Sequence, residues 1–139
     1  MLSLFVPSLS GNVGRMTLRP KDDSSDTVFR FVETRCAAWG TPSELGKKAS
    51  GALNNLRETA RHFAPGQTLE LELAGDKGSL DVSVGWTGKP FEFPKECPPL
   101  DGGKEDVIGL SAYLVRQSAA KTDFRTEGDR VFLWLHFEI

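Results

Sequence analysis

Between residues 45 and 86 the sequence changes its hydrophobic period, and that change dictates the class of fold. Leu45, Ala49, Ala52, Leu53, Leu56, Ala60 and Phe63 recur at helical spacing as one apolar stripe. Ser43 with Glu44 opens it, and Pro65-Gly66 ends it. Directly afterwards Leu69, Leu71 and Leu73 alternate with Glu70 and Glu72. Beyond a turn over 74–79, Leu80, Val82, Val84 and Trp86 alternate with Asp81, Ser83 and Gly85. Side chains on a strand point to opposite faces in turn, so this is a hairpin with one apolar and one wet face.

The flanking sequence repeats the pattern. Residues 10–26 hold a strand-like piece near Met16–Leu18 and then a loop, and Ser24, Ser25 and Asp26 offer N-caps for a first helix. Within it Val28, Val32, Cys36 and Trp39 share one face, and Gly40 with Pro42 stops it. From Gly88 to Lys104 the chain is rich in Pro and Gly and reads as a long loop. Asp106 then caps a third helix with Val107, Leu110, Leu114 and Val115 as apolar positions. Strands near Thr122–Glu127 and Arg130–Glu138 follow, joined by Gly128-Asp129, a hairpin turn signal. The expected fold is α+β: a two-layer α/β sandwich, mostly antiparallel, with about three helices on one face of the sheet. Residues 1–139 form one domain, in which 1–20 are an N-terminal strand or the remnant of a preceding segment. Met1–Leu9 lacks the basic start of a signal peptide and is too short to cross a bilayer.

Charge and residue usage narrow the chemistry. A net charge of −2 with no basic stripe gives no reason to expect nucleic acid. Cys36 and Cys97 lie far apart, which points to free thiols in a reduced, cytoplasmic setting and to no metal. His62 and His136 share no local motif with them. Glu70, Glu72 and Asp81 read as a solvated sheet face, and Lys47-Lys48 as a solvated helix start.

Three stretches, in the order of these elements, resemble the GHKL (histidine-kinase-like, Bergerat-fold) ATPases, and especially the anti-sigma-factor serine kinases. The family's Glu-Ala-x-x-Asn stands here as Gly51-Ala52-Leu53-Asn54-Asn55. The resemblance makes Asn55 the Mg²⁺ ligand, while Gly51 replaces the glutamate that positions the attacking group. The family's Asp-x-Gly-x-x-Phe stands as Trp86-Thr87-Gly88-Lys89-Pro90-Phe91, so an indole replaces the carboxylate that accepts the adenine amino group. An indole only donates. The family's phosphate-side Gly-x-Gly-Leu stands as Gly109-Leu110-Ser111-Ala112. Asn55, Trp86, Gly88, Phe91, Gly109, Leu110 and Ser111 would thus line a vestigial nucleotide pocket. Thr17–Gly40 also looks like the start of the cytosolic C-terminal domain of some bacterial xanthine/uracil permeases, which are themselves GHKL-like with eroded motifs.

The function this implies is a non-catalytic regulatory or interaction domain without cofactors, associated with a nucleobase permease at the inner face of the membrane. The alternative is an ATP- and Mg²⁺-binding serine kinase of the anti-sigma type. With no nucleotide to hold it, the loop over 88–104 is expected to be pinned by Phe91 and Phe93 beside Trp86. On the last strand Phe132 and Trp134 alternate with Val131, Leu133, Leu135 and Phe137, so the outer face is aromatic too. That predicts a cover over it: Leu2–Val6, a protein partner, or a second copy in a homodimer.

Overall fold

Among the described residues five strands form one sheet: β1 (Val13–Leu18), β2 (Leu69–Gly75), β3 (Ser79–Thr87), β4 (Lys121–Glu127) and β5 (Arg130–Glu138). They lie in the order β1-β2-β3-β5-β4, and every neighbouring pair is antiparallel. Three helices complete a two-layer sandwich: α1 (Ser25–Trp39), α2 (Ser43–Phe63) and α3 (Lys104–Ser118). The computed structural model describes residues 12–21, 23–63, 66–88, 93, 94, 96 and 104–139, with positions 62, 63 and 104–108 described as backbone alone.

The register explains why the hairpin pattern produces a single apolar face. Leu71 pairs with Val84 and Leu73 with Val82, and β5 adds Leu135, Leu133 and Val131 opposite Val82, Val84 and Trp86. The β2–β3 turn is tied by the Asp76 carboxylate, whose Oδ1 accepts the Gly78 and Ser79 N–H groups at 2.8 Å each. Those two bonds hold its pKa below the ordinary carboxylate value. Against this face lies α2, with Leu45, Ala49, Ala52, Leu53, Leu56 and Ala60 fully buried. At about 100° per residue, Gly46 and Ser50 fall on one flank of α2 and Asn55 and Thr59 on the other. The Gly46 flank meets α1, since a Cβ there would stand 3.3 Å from Cys36 Sγ and 3.7 Å from Val32. The opposite flank meets α3, which supplies buried Ala112 and Val115. Gly40 ends α1 in the left-handed conformation at φ 70°.

Three expectations are corrected. Helix α3 begins at Lys104, so Asp106 lies inside it and is not its cap. Leu114 of that helix is 38% exposed, and the buried face runs through Ser111, Ala112 and Val115, because Leu114 is turned about 100° from Val115. The sheet face away from the helices is not simply wet, since Glu72 and Ser83 are buried. The expectations on Met1–Leu9, Phe91 and Cys97 lie outside the described residues. Among the described residues, no helix is long and apolar enough to cross a membrane.

Two glycines test this packing in opposite directions. Gly51 is exposed in the interior of α2, and a Cβ there meets nothing within 4 Å. Gly51→Ala is therefore expected to stabilise the fold by about 1 kcal/mol in urea titrations. At Gly75 a Cβ would stand 2.9 Å from both Thr41 Oγ1 and Trp39 Cε3. Gly75→Ala is expected to lower the urea midpoint, and an unchanged midpoint would contradict the packing of the α1 end on β2.

Candidate functional site

Of the residues that the resemblance assigns to a nucleotide pocket, Trp86 has the most defined surroundings. It ends the inner row of β3, opposite Val131, and is fully buried. Its ring lies 6.3 Å from that of Phe124 on β4, at a tilt of 53°. Phe93, from the segment between β3 and α3, is 8% exposed and lies 5.9 Å from the same Phe124 ring. The guanidinium of Arg116 near the end of α3 donates to the Phe93 carbonyl oxygen at 3.0 Å. Three aromatic rings from three parts of the chain thus share one inner corner of the sandwich, and Arg116 anchors the segment that carries the third. Tilted pairs at these separations are a favoured aromatic geometry.

The remaining motif residues are placed differently. Asn55 is half-buried on the α2 flank turned toward α3, and its backbone carbonyl accepts the Thr59 hydroxyl at 2.9 Å. Gly88 is exposed at φ 143°, a conformation that favours glycine, and its N–H donates to the Asp129 carbonyl at 2.9 Å. Gly109, Leu110 and Ser111 lie well inside α3, which starts at Lys104. Only the first four N–H groups of a helix lack an internal partner, so these three are committed to the helix and not free for phosphate. No group of three or more His, Cys, Asp and Glu among the described residues is arranged to hold a metal ion.

A second polar constellation occupies the outer sheet face. Asp81 Oδ1 accepts the indole N–H of Trp134 at 3.1 Å and lies 2.6 Å from His136 Nδ1. The other ring nitrogen, His136 Nε2, lies 3.0 Å from Glu138 Oε2. Farther along, Arg15 pairs with Glu72 at 3.2 Å. Arg130 pairs with Glu70 at 2.8 Å, donates to Thr87 Oγ1, and lies over the Phe132 ring. Phe132 is 8% exposed and Trp134 is half-buried. Glu72 and Asp81 belong to ion pairs and are not a solvated row.

Burial pulls the His136 imidazolium toward deprotonation, but the hydrogen bonds and charges of Asp81 and Glu138 outweigh it and raise its pKa above 6.5. With both nitrogens facing carboxylates, the ring in its charged form donates to both. Asp81 on β3 and His136 on β5 thus form a clamp between the two strands. Sequence reasoning passed over it because the two residues are 55 positions apart, although alternation puts both on the outer face. Searches against protein-family models and among curated proteins find no match for this chain.

The clamp makes stability depend on pH in a definite direction. A group whose folded pKa is raised contributes fully below its unfolded value and loses its contribution as pH rises through the folded one. The urea midpoint is therefore expected to fall as pH is raised from about 6 to about 9, and His136→Gln is expected to remove most of that slope. A wild-type midpoint that rises over this range would contradict the clamp.

Proposed function

We propose that the chain is a non-catalytic regulatory or interaction module built on a GHKL ATPase-like scaffold and acting in the cytoplasm. The observation that carries this reading is the fully buried Trp86, with Phe124 and the Arg116-anchored Phe93 around it. On such a scaffold an adenine base needs a carboxylate acceptor at this position and a vacant space beside it. Here the position holds a donor-only ring, and the space is taken by side chains. Gly51 brings no carboxylate to α2, and the N–H groups of Gly109, Leu110 and Ser111 are spent within α3. Asn55 alone offers one neutral oxygen, a poor basis for holding Mg²⁺ without nucleotide phosphates. ATP and Mg²⁺ therefore do not fit the residues present, and the module works without them.

In this reading the domain acts by contact. The surface centres on half-buried Trp134, and the partner is a second copy or a membrane transporter of the nucleobase permease kind, met at the inner face of the membrane. The neighbouring edge strand β4 carries Lys121, Asp123, Arg125 and Glu127, which disfavour pairing with another strand. Contact would then run through side chains on the face and not through strand addition.

Calorimetry with ATP and Mg²⁺ tests the first half of this reading. No saturable heat is expected, and micromolar affinity would overturn it in favour of the serine kinase. For the second half, sedimentation of the wild type is expected to show concentration-dependent association that Trp134→Ser weakens. A strict monomer at high concentration removes the homodimer.

A further inference from the structure

A cleft of about 140 Å³ opens between α1, from Phe29 onward, and the first half of α2, on the flank of α2 away from Asn55. Cys36 and Ala37 of α1 line it, together with Gly46 and Ser50 of α2. Gly46 keeps it open, because even a methyl group there would crowd the Cys36 sulfur at 3.3 Å. Phe29 lies at the cleft and leaves 41% of its surface in water, although it is a large apolar side chain. Glu33 and Lys47 also border it and offset each other in charge.

Two polar groups in this lining are left without partners. Thr41 is 6% and Ser50 4% exposed, and neither hydroxyl oxygen has a hydrogen-bond partner. A helical serine ordinarily donates to the carbonyl four residues back, yet Ser50 does not. A buried hydroxyl left unsatisfied is costly, and in native proteins such groups commonly mark a place for water or a ligand. The Cys36 thiol, with its pKa raised by burial, stays neutral and adds a soft, polarisable wall. The cleft is close in volume to engineered cavities of about 150 Å³ that take up benzene.

We propose that this cleft is a binding site for a small neutral aromatic or heteroaromatic molecule that carries one hydroxyl or ring nitrogen. The ring fills the apolar space between Phe29, Cys36 and Ala37, and its polar atom satisfies the Ser50 hydroxyl. A neutral ligand matches the lining, because its buried polar groups are hydroxyls and a neutral thiol. This site is separate from the pocket of Trp86 and does not depend on how that pocket is read.

Titration of the full chain with phenol and with benzene, followed by amide chemical shifts, tests the proposal. Phenol is expected to give saturable shifts confined to α1 from Phe29 onward, the turn after it and the first half of α2, with benzene weaker by several-fold. Ser50→Ala is expected to weaken phenol several-fold while leaving benzene unchanged, and alanine is a better helix former, so the fold is retained. The absence of saturable shifts, shifts scattered over the surface, or unaltered phenol binding by Ser50→Ala would each overturn the proposal.

Discussion

The contact between the α2 stripe and the inner face of the sheet is the interaction on which the other features depend. One row of small and aliphatic residues on α2 meets the rows of β3 and β5, the two strands at the centre of the chain's pairing. With that face fixed, both flanks of α2 are fixed as well. The Gly46 flank lets α1 approach closely, and the Asn55 flank receives α3. Hydrophobic burial of this kind has no direction of its own, so the glycine and alanine positions decide how near each neighbour comes.

The same arrangement divides the molecule chemically. On the inner side, rings from β3, β4 and the segment before α3 pack together at one corner. Trp86 supplies a buried ring there, 6.3 Å from that of Phe124, which in turn lies 5.9 Å from Phe93. Arg116 then secures the Phe93 backbone, tying the incoming segment to α3. On the outer side, the sheet carries three sets of polar contacts: Arg15 with Glu72, Arg130 with Glu70 and Thr87, and Asp81 with Trp134 and His136. Its charged groups are mostly paired within the sheet. Phe132 on this face lies under the guanidinium of Arg130.

Much of the fold was legible in the sequence because its signals are local. The stripe of α2, the alternation in β2 and β3, the Gly40 stop and the Gly128-Asp129 turn each depend on residues within a few positions of one another. The start of α3 was misplaced for a related reason: Asp106 is a good cap by type, but caps compete with whatever the preceding residues can do, and helix ends are set by tertiary context. Non-local features were harder to read. The Asp81–His136–Glu138 clamp needs the β3–β5 register, and the burial of Glu72 needs the neighbouring strand that brings Arg15. The place of Trp86 in the inner row of β3 was visible from alternation alone. That Phe93 packs in the same corner became definite only with the position of Phe124. The unpartnered hydroxyls of Thr41 and Ser50 had no sequence signal, since satisfaction is a property of neighbours and not of the residue.

The central claim is that Trp86 is a core side chain filling the place where a base would sit. The chain has three tryptophans, so the double variant Trp39→Phe, Trp134→Phe leaves Trp86 as the single indole reporter. Its steady-state emission, with acrylamide quenching and with added ATP and Mg²⁺, reads the claim directly. The account predicts blue-shifted emission, little quenching, and no response to nucleotide. Red-shifted emission that acrylamide quenches readily, or a saturable change on adding ATP, would contradict it.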